Sequence, residues 1–486
     1  MTDGAAAGGS LPFPPGPQGL ELAKVIYGRF RDPVRLMQKL HRDHGPIVGI
    51  RLGKMSQILV NDPGMIRHVL SENAQNYTKG FGYGFMQELV GQGLLTSDGD
   101  LWRKQRRLVQ PVMTKDRVKG YLPLLFEETK DAADLLSAEI REKGATVEIH
   151  KFLMDLSLNM ICRTVLGVHD PAELRQVHRT IDDVFAFIER QQTFQARLLQ
   201  LVDWQGAKSP VKKVLEAQQN RSLRKVRESV ARLDSLIYGL IRDKKAAASG
   251  SSSSDLITHL LQIQKTQSET GNEAEKMSDQ QLRDEVLTML IAGYETTSTS
   301  LSWCLSLLAH HPAQLKHVRD ESTRVLGKPT GESASLPLER MPELAASEHA
   351  FQEALRLYPP IWRLSRFATE ADQLGEFAVP PATLVVISQY ALHRSTEWWG
   401  DDADRFSPAR FADPAGATCR RSIFLPFGAG PRMCLGTQFA LLEAQVVLSE
   451  LTRRFHFEAL EPHPSKFEPW ITLRPRGGIR LKVSEI

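Results

Sequence analysis

The sequence predicts a mainly α fold with a small β region, built as a single domain. Three observations carry that reading. Long stretches with apolar residues at helical spacing run from Asp116 to Ile140, Glu216 to Lys245 and Asp284 to Leu308. β-branched runs are short: Ile47 to Leu52 with Gln57 to Val60, and Thr383 to Ser388. No break in composition marks a boundary, so 486 residues, enough for two or three average domains, also allow one large domain around a cofactor.

In chain order, residues 1–18 read as a Pro/Gly-rich N-terminal tail containing Leu11-Pro12-Phe13-Pro14-Pro15-Gly16-Pro17, and residues 19–486 as the domain. Met1 to Ala7 lacks a basic region followed by an apolar stretch, so no secretory signal is read there. No run approaches the ~18 apolar residues that a spanning helix needs. The expectation is a cytoplasmic protein without a membrane anchor. Ile47 to Leu52 and Gln57 to Val60 flank Gly53-Lys54 as a hairpin. Trp102 and Arg106 stand one helical turn apart. Residues 245–255, with Ala246-Ala247-Ala248-Ser249-Gly250 and a serine run, read as a flexible surface loop. Ser278 to His310 reads as one long helix, and Lys328-Pro329-Thr330-Gly331 as a turn. Glu353 and Arg356 lie three apart on a helix ending before Pro359-Pro360, so they share a face and can pair.

The chemistry concentrates at Phe427-Gly428-Ala429-Gly430-Pro431-Arg432-Met433-Cys434-Leu435-Gly436. One cysteine stands on a glycine-rich loop just before a helical stretch, Leu435 to Leu448. Glycines allow tight turns and close approach to a flat ligand, while Phe427 can shield the sulfur. The positive end of a helix and its free N–H groups favour a thiolate. A lone cysteine in a turn is usually a small buried core residue; the full Phe-x-x-Gly-x-Arg-x-Cys-x-Gly pattern instead reads as a haem-thiolate site, in which the thiolate pushes electron density toward iron. A second signal is Ala292-Gly293-Tyr294-Glu295-Thr296-Thr297 inside the long helix. Thr296 can bond back to the Ala292 carbonyl, distorting the helix, and Gly293 leaves room beside the backbone. The bland alternative is a Thr-Thr pair tolerated beside a solvated glutamate.

These motifs, in this order, resemble the cytochrome P-450 monooxygenases over nearly the whole chain. Glu353-Ala354-Leu355-Arg356 matches the family's Glu-x-x-Arg, and Phe406-Ser407-Pro408-Ala409-Arg410-Phe411 the segment whose arginine completes a charged triad. The resemblance implies the cytochrome P-450 fold with haem b, iron protoporphyrin IX, ligated by Cys434 and framed by Phe427, Gly428, Gly436 and Gly293. It implies that Glu353, Arg356 and Arg410 support the cysteine loop. Trp102, Arg106 and Arg432, with Arg366, become partners of the haem propionates, and Thr296 with Glu295 become the groups that deliver protons. A pocket would draw on Phe81, Phe85, Met289, Leu290, Ala292, Ile361, Trp362, Trp470 and Ile471, under a roof from Ile181 to Pro210 that includes Phe185, Phe187, Phe194 and Trp204. With Arg363 as a polar anchor, such a pocket suits a terpenoid, polyketide or fatty-acid-like molecule.

The net charge of +4 does not imply nucleic-acid binding. Arg103, Lys104, Arg107, Lys115, Arg420 and Arg421 cluster near segments that the resemblance places on the cysteine side of the haem. They would dock an acidic donor such as ferredoxin, served by ferredoxin reductase, although dispersed solubilising charge explains them as well. Four scattered cysteines without a Cys-x-x-Cys pair argue against zinc and a disulfide framework. The chain resembles a soluble, bacterial-type member using O2 and a hydrophobic small-molecule substrate. Alternatives on the same fold are a peroxide-driven or oxygen-independent haem-thiolate enzyme, or a non-catalytic haem-binding sensor; relatives of the first kind tend to lack the acid-alcohol pair.

Overall fold

The computed structural model describes residues 11–53, 55–79, 86–87, 90–191, 210–246, 255–269, 276–328, 338–413 and 417–486. Phe81, Phe85, Phe194, Trp204, most of the serine-rich 245–255 segment and the Pro329-Thr330-Gly331 turn lie outside them.

One 32-residue helix, Asp279–His310, organises the rest. It starts where Ser278 Oγ accepts from the Gln281 N–H at 3.1 Å, the N-cap role that a serine fills well. Between Leu282 and Ala309 nearly every side chain is buried, so this helix is covered all round rather than amphipathic. Helices Ile149–Ile161, Ala345–Leu357 and Thr437–Arg454 pack on it and share one large apolar core that includes Ile161, Leu305, Phe351 and Val447. No helix among the described residues is long and apolar enough to cross a membrane.

The stretch from Asp116 to Ile140 forms two helices, Lys115–Lys119 and Leu122–Lys143, rather than one. Pro123 explains the break: it sits in the first turn of the second helix, where a missing N–H costs nothing, whereas mid-helix it would remove a hydrogen bond. The Glu216 to Lys245 pattern lies within Pro210–Ala246.

The strands are β1 Ile47–Leu52, β2 Met55–Val60, β3 Tyr77–Thr78, β4 Thr146–Glu148, β5 Leu364–Ala368, β6 Asp372–Leu374, β7 Phe377–Val379, β8 Leu384–Ile387, β9 Phe455–Ala459, β10 Phe467–Pro469, β11 Leu473–Pro475 and β12 Arg480–Glu485. The largest sheet has the order β1-β2-β8-β5-β3. The predicted hairpin is its edge, with Ile47 opposite Val60, and β8 joins β2 in parallel, Gln57 beside Leu384. β5 returns antiparallel to β8, bringing Arg366 opposite Val385. β4-β12-β9 form a second antiparallel sheet, while β6-β7 and β10-β11 are hairpins. The proline-rich segment lies along β1: the Gly49 N–H donates to Pro15 O at 2.8 Å, and Arg51 stacks 4.1 Å from the Phe13 ring centre.

Candidate active site

The cysteine loop closes on itself through the Cys434 N–H, which donates to Phe427 O at 2.8 Å. Gly428 and Gly430 hold φ of +73° and +71°, which side-chain-bearing residues avoid. At Gly430 a Cβ would stand 1.8 Å from the Leu70 carbonyl oxygen, so both backbone angle and space demand glycine. Cys434 has accessible surface, yet the protein around it is dense enough that burial raises the thiol above its ordinary range. A sulfur facing an interior hollow has both properties. The Gly436 N–H, Thr437 and the Arg106 charge pull the other way, toward thiolate. A bound metal ion would decide the matter, since a coordinating thiol is deprotonated outright. The following helix begins at Thr437 with Gly436 as N-cap, two residues later than the apolar pattern suggested.

Along the buried central helix one stripe keeps partial exposure: Met289, Ala292, Gly293 and Thr296. Their spacing places them on one face, which therefore borders open space inside the protein. Leu290, expected at the pocket, is fully buried and belongs to the apolar core. Thr296 Oγ1 donates to Ala292 O at 2.8 Å, the back-bond expected from sequence. Gly293 has a second neighbour: a Cβ there would stand 2.8 Å from Ile161 Cδ1, the tip of a side chain on the adjoining helix, while its backbone stays partly exposed. Glu295 is buried and held by Thr472 and Arg474, described below.

The predicted cations converge. Helix Gly99–Val109 carries Trp102 and Arg106, and Arg432 stacks 4.2 Å from the Trp102 ring centre while ion-pairing with Asp98. Arg106 feels the charge of Cys434, which opposes the lowering that burial causes. Arg366 is buried on β5 and donates to Ser365 O at 2.9 Å. Sequence reasoning missed Lys79. Burial, then repulsion from Arg432 and Arg366, pushes its ammonium down to about 7, against the pull of Asp98. Lys79, Arg366 and Arg432 lie close enough for their charges to repel, and a cluster of cations of this kind suits a ligand with carboxylates on its edge. With an interior cysteine sulfur beside them, the set fits a haem.

Behind the loop, Arg356 and Glu353 are fully buried and joined by two bonds, with Arg410 Nε 3.4 Å from Glu353 Oε1. Arg356 also donates to His393 O at 2.7 Å and Arg405 O at 3.0 Å. His393 Nε2 in turn accepts from the Leu425 N–H at 2.9 Å, two residues before Phe427. The triad therefore connects to the cysteine loop through named bonds. His393 is kept neutral chiefly by burial and then by the Arg356 charge, which lower it to about 3.

Of the expected pocket residues, Ile361 and Trp470 are half-buried and Ile471 is 38% exposed. Trp362 is instead buried in the apolar cluster of the large sheet with Leu59 and Val386, and its Nε1 donates to Trp470 O at 3.0 Å. Arg363 is exposed, its guanidinium 4.9 Å from the Trp362 ring centre.

Residues 14–483 match the sequence model of the family Cytochrome P450. The chain is 30% identical over 475 residues to cyclooctatin synthase of Streptomyces melanosporofaciens, covering 97% of this chain and 94% of that one. It is 31% identical to a cytokinin hydroxylase of Arabidopsis thaliana, covering 89% and 80% of the two chains. To the putative cytochrome P450 135B1 of Mycobacterium bovis it is 26% identical, covering 98% and 92%.

Proposed function

The chain belongs to the cytochrome P450 family and is a haem-iron monooxygenase that takes electrons from a redox partner, and from that premise we propose that it hydroxylates or epoxidises a hydrophobic small molecule of the terpenoid, polyketide or fatty-acid-like class. The observation that carries this reading is Cys434, an accessible sulfur set in dense protein, on a loop whose glycine at 430 cannot be replaced without collision. Hydroxylation is also the reaction named for the Arabidopsis thaliana relative.

When bound, haem b supplies the activation of dioxygen. The chain's own groups hold and serve it. Cys434 Sγ would hold its iron, while Trp102, Arg106, Arg366 and Arg432, joined by Lys79, would hold its carboxylates. The Thr296 hydroxyl faces the hollow and moves a proton by turning from Ala292 O toward it, with the Glu295 carboxylate as the relay that takes up and passes on that proton once it turns from Arg474. The stripe at Met289 and Ala292, with Ile361, Trp470 and Ile471, orients the substrate and excludes water. Electrons come from a ferredoxin and its reductase, or a similar donor, steered to Arg103, Lys104, Arg107, Lys115, Arg420 and Arg421 by complementary charge.

The test is the carbon monoxide difference spectrum of the reduced, purified protein. A red-shifted Soret band is expected. An imidazole-like band, or no haem at all, overturns the reading.

A further inference from the structure

Glu295 precedes Thr296 in the chain, yet its carboxylate is buried and turned to other partners. Its Oε1 accepts from Thr472 Oγ1 at 2.5 Å, and Arg474 donates through Nε to Oε1 and through Nη2 to Oε2. Both partners are buried, in the two-pronged geometry that suits guanidinium and carboxylate. The guanidinium is itself clamped between two rings, 5.0 Å from the Phe185 centre and 4.9 Å from the Trp470 centre. Phe185 sits on helix Pro171–Gln191 and meets Tyr294, the residue before Glu295, edge-on at 5.3 Å. Trp470 lies in the turn of the β10-β11 hairpin, beside the partly exposed Ile471. Arg474 thus joins three pieces of chain: the central helix beside Thr296, the helix that leads into the expected roof, and the hairpin at the pocket's edge.

This arrangement constrains Glu295. A buried carboxylate cannot leave a buried guanidinium without stranding charge, a costly step. Glu295 can turn toward Thr296 only as Arg474 loosens, and Arg474 can loosen only as its aromatic walls part. Those walls, unlike the triad behind the cysteine loop, belong to segments bordering the substrate space.

We propose that Arg474 is a positioning residue that latches Glu295, and that a hydrophobic ligand reaching Phe185 and Trp470 releases the latch, so that proton delivery waits for a filled pocket. The proposal rests on the role given above to Glu295 and Thr296. The ligand need only differ in affinity between latched and released states to shift their balance.

The experiment follows Arg474 itself. In holoprotein carrying isotope-labelled arginine, the Arg474 Nε–H resonance is assigned by its loss in Arg474→Lys, or by its displacement in Glu295→Gln should that variant not fold. In ligand-free protein it should lie where a donor to carboxylate lies. Filling the pocket with dodecylimidazole should move it toward the Glu295→Gln position, and Trp470→Leu should move it without ligand. A resonance that stays in place with the azole bound overturns the latch, as does one unmoved in Trp470→Leu. Electron consumption without substrate should rise roughly tenfold in Arg474→Gln, within the range of ordinary coupling energies, and stay near wild type in Arg474→Lys; equal leakage in both variants counts against the latch. A protein lacking the thiolate carbon monoxide band would sink the monooxygenase reading, whereas a normal band with a static Arg474 resonance sinks only the latch.

Discussion

Arg356 and Glu353 meet through two bonds of 2.7 Å, Nε to Oε2 and Nη2 to Oε1, and solvent reaches neither side chain. Glu353 Oε1 also accepts from the Ser407 N–H at 2.9 Å, so the pair anchors the segment that carries Arg410. Taking one partner away leaves the other charged and buried. Glu353→Gln should therefore lower stability by about 3–5 kcal/mol and reduce haem retained per protein, read by denaturation and absorbance ratio. Normal stability with full haem content would show that the pair is dispensable.

Gly430 and Gly436 bracket Cys434 but face different constraints. Gly430 has φ +71° and no space for a Cβ against Leu70 O, whereas Gly436 has φ −81° and its Cβ would stand an ordinary 3.9 Å from Cys434 Sγ. Gly430→Ala should shift the loop and cost at least about 1–2 kcal/mol from the backbone angle alone, with weakened haem binding. Gly436→Ala should bind haem normally. Titration of both apoproteins with haemin checks the contrast, and equal affinities would refute it.

The Thr296 hydroxyl is bound to Ala292 O within a helix that runs unbroken from Asp279 to His310, so the back-bond adds little to its stability. Thr296→Ala should accordingly change stability by less than about 0.5 kcal/mol yet lower product formed per electron consumed by roughly tenfold or more. Thr296→Ser should retain coupling. Stoichiometry of reductant, peroxide and product decides; full coupling in Thr296→Ala would mean that protons arrive elsewhere.

The legible parts of the site were those whose residues are neighbours in sequence. Cys434 and its glycines, Glu353 with Arg356, and Thr296 with Ala292 each span a few residues, so helical spacing or turn chemistry displayed them. What escaped was set by distant chain. Arg474 stands 179 residues from Glu295 and lies in an unremarkable strand. Lys79 follows a two-residue strand and joins Arg366 and Arg432 only once β3 pairs with β5. Gly293 was visible as a glycine, but that the Ile161 side chain also approaches it depends on how two helices cross. The helix break at Gly120 could have been read from Pro123, which periodicity alone overrode.

Ser157 Oγ donates to Glu443 Oε1 at 2.7 Å where helices Ile149–Ile161 and Thr437–Arg454 meet, and burial raises this carboxyl to about 8 against the pull of that hydroxyl. Glu285, whose Oε2 accepts from the Leu94 N–H at 3.0 Å, is also raised to about 8, mainly by burial. Both groups hold a proton when folded that the unfolded chain releases above its ordinary value of 4.5. Their contribution to stability is therefore complete below about 4.5 and is lost as pH rises toward about 8. On the acid side His150 and His393 act in the opposite sense. Burial lowers them to about 4 and about 3, so the unfolded chain gains protons first and stability falls as pH drops below 6.5. Glu443→Gln keeps a partner for Ser157 and removes one titrating group. Lys79, lowered to about 7, adds stability above that pH and opposes the fall, so the difference between the two proteins is what isolates Glu443: the urea midpoint of Glu443→Gln should gain on that of the wild type as pH rises from about 4.5 to about 8, with the acid limb unchanged. Parallel curves for the two proteins would mean that Glu443 is already ionised in the folded state.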